Sequence, residues 1–319
     1  MARSKSQPKP ASRPLHPAQA RGSSRAQSAP PPTVSGRWLL GAIGIAIPAA
    51  ALCAWGVLCL LFWQGSWQLL YHPAATVART PASIGLAFNV VGFATTDTGV
   101  PQLAGWWIPA GSAARYTALY LHGQDGNLGD TLDDLAQLHS ANVNVLAFDY
   151  RGYGQSLFVH PSEAHWRQDA EWALQYLAAT RHIDARSIVL DGRGLGANLA
   201  LEIAAAHSEL AGVVLESPLD DPANSIFGDP RARLVPAHLL ARDRYDMKAP
   251  AVALRIPSLW ILQNPPPGQS SSPHISAALE SVTASVTAAK TSVWLPPSPQ
   301  PIVGFGDTLV RWLADLPTR

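Results

Sequence analysis

The residues best placed to do chemistry are Gly192-Arg193-Gly194-Leu195-Gly196, in the stretch Ser187-Ile-Val-Leu-Asp-Gly-Arg-Gly-Leu-Gly-Ala-Asn-Leu-Ala200. A strand-like run enters a glycine-rich turn and leaves as a helix. A G-x-S-x-G turn of this shape holds a serine up as a nucleophile. Here the middle residue is Gly194, which has no side chain with which to attack a carbonyl.

The elements around this turn repeat one pattern. Apolar or β-branched runs fall at 88–94, 102–108, 117–121, 143–149, 187–191, 212–216, 258–263 and 291–295. Helical patterns fall at 130–140, 164–180, 195–207, 274–289 and 306–316. Alternating strands and helices predict a mostly parallel sheet covered on both faces. The first two runs lie too close for a crossover helix and predict an antiparallel hairpin at one edge. Residues 219–255 are irregular and are expected to form a cap over the sheet.

Four further stretches, taken in order, resemble the alpha/beta-hydrolase superfamily, in particular its membrane-anchored serine esterases and protein depalmitoylases. Thr95–Pro109 resembles the opening hairpin, and Leu119-Tyr-Leu-His-Gly-Gln-Asp-Gly-Asn-Leu-Gly129 the His-Gly oxyanion loop. Phe148-Asp-Tyr-Arg-Gly-Tyr-Gly-Gln-Ser156 resembles the turn after the next strand, and Pro161–Trp172 the helix leading to the elbow. The resemblance covers about residues 70–260. It implies an alpha/beta-hydrolase fold and a triad in the order Ser, Asp/Glu, His, with an oxyanion hole.

Tested place by place, the triad is missing. The nucleophile place is Gly194, and glycine is expected to relax a turn that normally strains its central residue. The acid place follows the 258–263 strand in Gln263-Asn-Pro-Pro-Pro-Gly-Gln269, and from Met247 to Gly306 the only carboxylate is Glu280, inside a predicted helix. Asp220 or Asp221 is an alternative acid, or else a helix cap or a surface charge. The histidine place is Pro296–Pro301, and no histidine follows His274, so a general base is lacking. By resemblance, the backbone N–H groups of Gln124 and Leu195 form the oxyanion place. His122 and Gly123 belong to the pocket loop, with His122 structural, and Arg193 is expected to pack or line the rim.

Two substitute constellations stay open. Ser270, Ser271 and Ser272 lie near His274. Asp149 and Asp191 are expected to end neighbouring strands, where paired carboxylates could move protons or hold a cation. No zinc, nucleotide or dinucleotide motif is present, so no metal or cofactor is expected.

Residues 38–63, Trp38 to Trp63, carry no charge. As a helix they span about 39 Å, enough to cross a bilayer core of about 30 Å. Residues 1–37 hold seven Lys/Arg and no Asp or Glu, among many Pro, Ser and Ala, the composition of a disordered tail. The positive-inside rule puts this leader in the cytoplasm and the rest outside it, periplasmic in a bacterium. Ala51–Ala54 resembles a cleavage site, so a cleaved signal peptide stays open. Both cysteines, Cys53 and Cys59, lie in the apolar run, which leaves the globular part without disulfides.

The expected organisation is a leader at 1–37, a transmembrane helix at 38–63, a linker at 64–85 and the hydrolase domain at 86–319. Trp67 and Tyr71 are expected in the outer interfacial belt. Beyond the leader, sixteen Lys/Arg face twenty-two Asp/Glu, a net of −6, which argues against a nucleic-acid partner. The membrane is the expected partner, with an acyl or ester-like small ligand in the cleft; the sequence identifies no protein partner. The sequence favours an inactive pseudo-hydrolase that binds or scaffolds, with an active ester or thioester hydrolase using a relocated nucleophile as the alternative.

Overall fold

A computed structural model of the chain describes residues 35–111, 114–263, 276–295 and 302–317. The chain forms two compact units, Met1–Leu52 and Cys53–Arg319. Helix α1 (Gly36–Gly65) is long and apolar enough to cross a membrane.

The predicted alternation folds as an eight-stranded sheet among the described residues. Its strands are β1 (Asn89–Thr95), β2 (Pro101–Ile108), β3 (Thr117–Leu121), β4 (Asn144–Asp149), β5 (Ile188–Arg193), β6 (Gly212–Glu216), β7 (Ser258–Gln263) and β8 (Lys290–Leu295). The spatial order is β8-β7-β6-β5-β3-β4-β2-β1. The first pairings, β1 with β2 and β2 with β4, are antiparallel, and the others are parallel. This is the alpha/beta-hydrolase arrangement with the edge hairpin that the sequence predicts.

The strands are apolar on both faces because both faces are covered. Successive residues of one strand enter opposite cores. Leu119, Leu121, Ile188 and Leu190 join helices α3 (Glu163–Ala179) and α4 (Leu195–Ala206) on one face. Ala118, Tyr120 and Val189 join α2 (Leu132–Ser140) and α6 (Phe305–Asp315) on the other. Helix α5 (Ala277–Ser285) is shorter than the predicted 274–289 and contains Glu280.

Tyr71 is buried and its hydroxyl bonds that of Tyr245 at 2.9 Å. Trp67 stacks on His160. The expectation of an interfacial position is therefore corrected at Tyr71, whose ring is buried against the cap and α3, while Trp67 stays partly exposed. The cap itself consists of short turns at Asn224–Phe227, Ala237–Leu240 and Lys248–Ala253.

Candidate functional site

β5 runs two residues past its predicted end, through Arg193, and α4 starts at Leu195. Gly194 alone makes the corner, with φ 55° and ψ −122°. The expected relaxation does not occur. The turn keeps a backbone that side chains rarely adopt, because packing on both sides imposes it. A Cβ on Gly192 would strike the Gly196 carbonyl, and a Cβ on Gly196 would strike the carbonyls of Leu121 and His122. The strand and helix thus meet at a distance only glycine allows, and Gly194 adopts the forced conformation without the steric cost a serine bears.

The His-Gly loop lies beside the corner. The Leu195 N–H, one expected oxyanion donor, already donates to the Gln124 side-chain Oε1 at 3.3 Å. The same oxygen would stand 3.3 Å from a Cβ at position 194. The carboxamide of Gln124 therefore occupies the space where a nucleophile's substrate oxygen would be held. The sequence drew attention only to the Gln124 backbone; its side-chain role was invisible because the partner is 71 residues away.

Gln124 is held firmly. Its carbonyl accepts from the Tyr153 hydroxyl at 2.7 Å and from the His72 N–H at 2.9 Å. His72 in turn places Nδ1 2.7 Å from Asp125 Oδ1. This exposed imidazole beside the loop was missed in the sequence, where it lies in the presumed linker.

His122 is buried, as a structural residue should be. Its Nδ1 lies 2.7 Å from the Gly123 carbonyl oxygen, and its Nε2 is 3.7 Å from Asp149 Oδ1. Burial lowers its pKa to about 4, so it is neutral at pH 7. Asp149 accepts from the Leu128 N–H at 2.9 Å and crowds against Gly154, a position with positive φ. Burial raises its pKa to about 7 against the pull of the Leu128 and Gln155 amides.

Asp149 and Asp191 do not form the pair that the sequence left open. β3 lies between their strands, because the chain crosses over before β5. Asp191 instead belongs to a second buried cluster. Register sets Arg193 opposite Glu216, and Asp191, two residues back, shares its face. Arg193 Nη1 donates to Asp134 Oδ1 at 2.7 Å and lies 3.7 Å from Glu216 Oε2. Tyr120 donates to Asp134 Oδ2 at 2.9 Å. Arg193 is thus the cation of a buried acidic group, which is the packing role of the two that the sequence offered.

Burial raises the pKa of all three carboxylates around this guanidinium. Burial, then the charge of Asp134, raises Asp191 to about 7 against the charge of Arg193. Burial and the charges of Asp191 and Asp134 push Glu216 well up. Between the ordinary carboxylate range and about 7, the folded state keeps a proton on Asp191 that the unfolded chain has lost. Stability from this group is therefore full below about pH 4 and falls as pH rises through 7. Asp191→Asn, which mimics the protonated form, is expected to raise stability at pH 8 by about 1–3 kcal/mol and by less at pH 5, where the folded state still keeps its proton. Thermal unfolding at the two pH values measures this.

The other expected sites resolve differently. Asp220 and Asp221 are exposed, as surface charges would be, and the cap residue of Asn224–Phe227 is Ala223. The acid loop, with Ser270–Ser272 and His274, and the histidine loop Pro296–Pro301 lie outside the described residues. Among the described residues no group of three or more His, Cys, Asp or Glu is arranged so that it could hold a metal ion.

The sheet order, the glycine corner and the His-Gly loop define an alpha/beta-hydrolase. The family described as serine aminopeptidase, S33, matches residues 112–282, and the chain belongs to it. An uncharacterized protein of Mycobacterium tuberculosis is 30% identical over 216 residues, 67% of this chain and 74% of that protein. Protein bem46 of Schizosaccharomyces pombe is 35% identical over 106 residues, covering 33% of this chain and 35% of its own length. Among solved structures, an esterase of Pyrococcus furiosus superposes with TM-score 0.57 at 17% identity, over 77% of this chain and 96% of that one, a likeness of fold.

Proposed function

We propose that this chain is a membrane-anchored pseudo-hydrolase: it keeps the alpha/beta-hydrolase fold, lacks serine-hydrolase chemistry, and binds an acyl or ester-like ligand or scaffolds a partner. The observation that carries the proposal is the corner itself. Gly194 stands in the nucleophile geometry with no side chain, and Gln124 fills the neighbouring oxyanion donor. The absence of any histidine after His274 supports the same reading, as does the buried, neutral state of His122. Helix α1 supports the anchor, with the basic leader on the cytoplasmic side and the folded domain on the other.

The test is fluorophosphonate labelling of the full chain in detergent, with adducts located by mass spectrometry and a short-chain ester assay alongside. No adduct and no turnover in folded protein are expected. A defined serine adduct with turnover would establish the second reading, a hydrolase with a relocated nucleophile. The His72–Asp125 contact favours that alternative to the extent that it offers an imidazole oriented by a carboxylate beside the loop.

Restoring only the hydroxyl is expected to fail. Gly194→Ser places its Cβ against Gln124 and gains no general base, so ester turnover should stay at the wild-type background. Turnover that appeared in Gly194→Ser and vanished on adding His72→Ala would show that His72 serves as the base.

A further inference from the structure

The cap carries two large apolar side chains with no protein over them: Leu234 is 63% exposed and Leu239 is 85% exposed. Leu234 stands beside α1, and Leu239 lies in the turn between Ala237 and Ala241, which pack on Phe62 near the end of that helix. Phe62 forms a buried cluster with Ile226, Ala237 and Ala241 of the cap. Trp55 donates its indole N–H to the Leu234 carbonyl at 3.0 Å. The Arg242 guanidinium lies 4.3 Å from the centre of the Trp63 ring. Between helix and cap is an apolar cavity of about 220 Å³, walled chiefly by Leu58, Leu61, Phe62, Leu69, Leu234 and Val235.

The depth of these contacts is the argument. The uncharged run ends at Trp63, and Trp55 lies eight residues earlier, about 12 Å along the helix. A headgroup region is only about 5–7 Å thick on each side of the hydrocarbon. If the run ends at the hydrocarbon boundary, a residue bonded to Trp55 lies below that boundary. Leu234 is such a residue. The flanking exposed side chains fit the same placement, since Arg233, Arg242 and Arg244 offer guanidinium groups for lipid phosphates beside an apolar tip.

We propose that cap residues 230–241 form a bilayer-insertion element, with Leu234 and Leu239 among the acyl chains of the leaflet into which the C-terminal end of α1 opens and the neighbouring arginines at the phosphate level. The partner is a phospholipid surface. The inference rests on α1 being a membrane span, and it goes beyond that reading by making the cap a second membrane contact. An element of this kind holds the folded domain at a fixed height and orientation on the membrane.

The test uses the full chain in phosphatidylcholine–phosphatidylglycerol vesicles with single nitroxide labels. One label sits on native Cys53 with Cys59→Ser. A second sits on Leu239→Cys with Cys53→Ser and Cys59→Ser. A third, the aqueous reference, sits on Asp97→Cys in the exposed turn of the edge hairpin, in that same background. Collision with oxygen reports lipid, and collision with a water-soluble nickel chelate reports water. The Leu239 label is expected to match Cys53, with an oxygen-to-nickel ratio several-fold above that at Asp97. A Leu239 label that matches Asp97 while Cys53 reads lipid overturns the inference and leaves the anchor standing. A Cys53 label that reads water overturns both. Leu239 is too exposed for its replacement to disturb folding.

Discussion

Arg193→Met is expected to destabilise the protein by about 3–5 kcal/mol at pH 8, because it leaves buried carboxylates with no cation among them. Arg193 bonds Asp134 and faces Glu216 across the strand register. Asp191 lies on the same face with both oxygens buried. At pH 8 the wild-type cluster holds negative charge that the guanidinium offsets. Near pH 5 the loss should be smaller, because Asp191, raised to about 7, is then protonated and needs no counter-charge, and burial pushes Glu216 in the same direction. The measurement is chemical unfolding of wild type and variant in detergent at both pH values. Equal losses would mean that the carboxylates do not titrate in this window. Combining Arg193→Met with Asp191→Asn should recover part of the loss at pH 8, since the two sites share one network.

Trp166→Ala should cost a similar amount, about 3–5 kcal/mol, for a different reason. Trp166 is fully buried on α3 and stacks on Tyr150 with ring centres 3.9 Å apart. Tyr71, Tyr153 and Tyr245 meet it at tilted or edge angles. Two of these partners reach the site: Tyr153 donates to the Gln124 carbonyl and Tyr150 to the His122 carbonyl. Removing the indole therefore opens a large cavity and loosens the loop that carries Gln124. Trp166→Phe keeps most of the stack. It also removes a buried indole N–H that has no hydrogen-bond partner, so its cost should stay under about 1.5 kcal/mol. Thermal unfolding of the two variants separates ring packing from the polar group, and a large loss in Trp166→Phe would mean that the N–H is satisfied in solution.

How much of this was legible in the sequence varies with the range of the interaction. The eight strands were readable because each is a local run of apolar residues, and their ends shift by no more than two residues. The edge hairpin followed from spacing alone. The helix α5 limits were less legible: the segment before Ala277 is rich in Ser and Pro, which blurs a start signal, and the folded helix begins only after its Ser276 cap. The glycine corner is readable as a motif, yet the positive φ it keeps is not. Gly192 and Gly196 pack against backbone from distant segments, and those contacts hold Gly194 at positive φ whatever its own preference.

The sequence by itself determined the layered fold, the long apolar helix, and the absence of a side chain at Gly194, because each is a property of local composition and order. Tertiary structure decided the rest of the site. Only the crossover that places β3 between β4 and β5 separates Asp149 from Asp191. Only strand register brings Arg193 to Glu216, and only the packing of α2 adds Asp134. Only the fold of the His-Gly loop turns Gln124 into the occupant of the Leu195 N–H. In each case the partners are tens of residues apart, and their meeting is set by how the layers close rather than by any nearby residue.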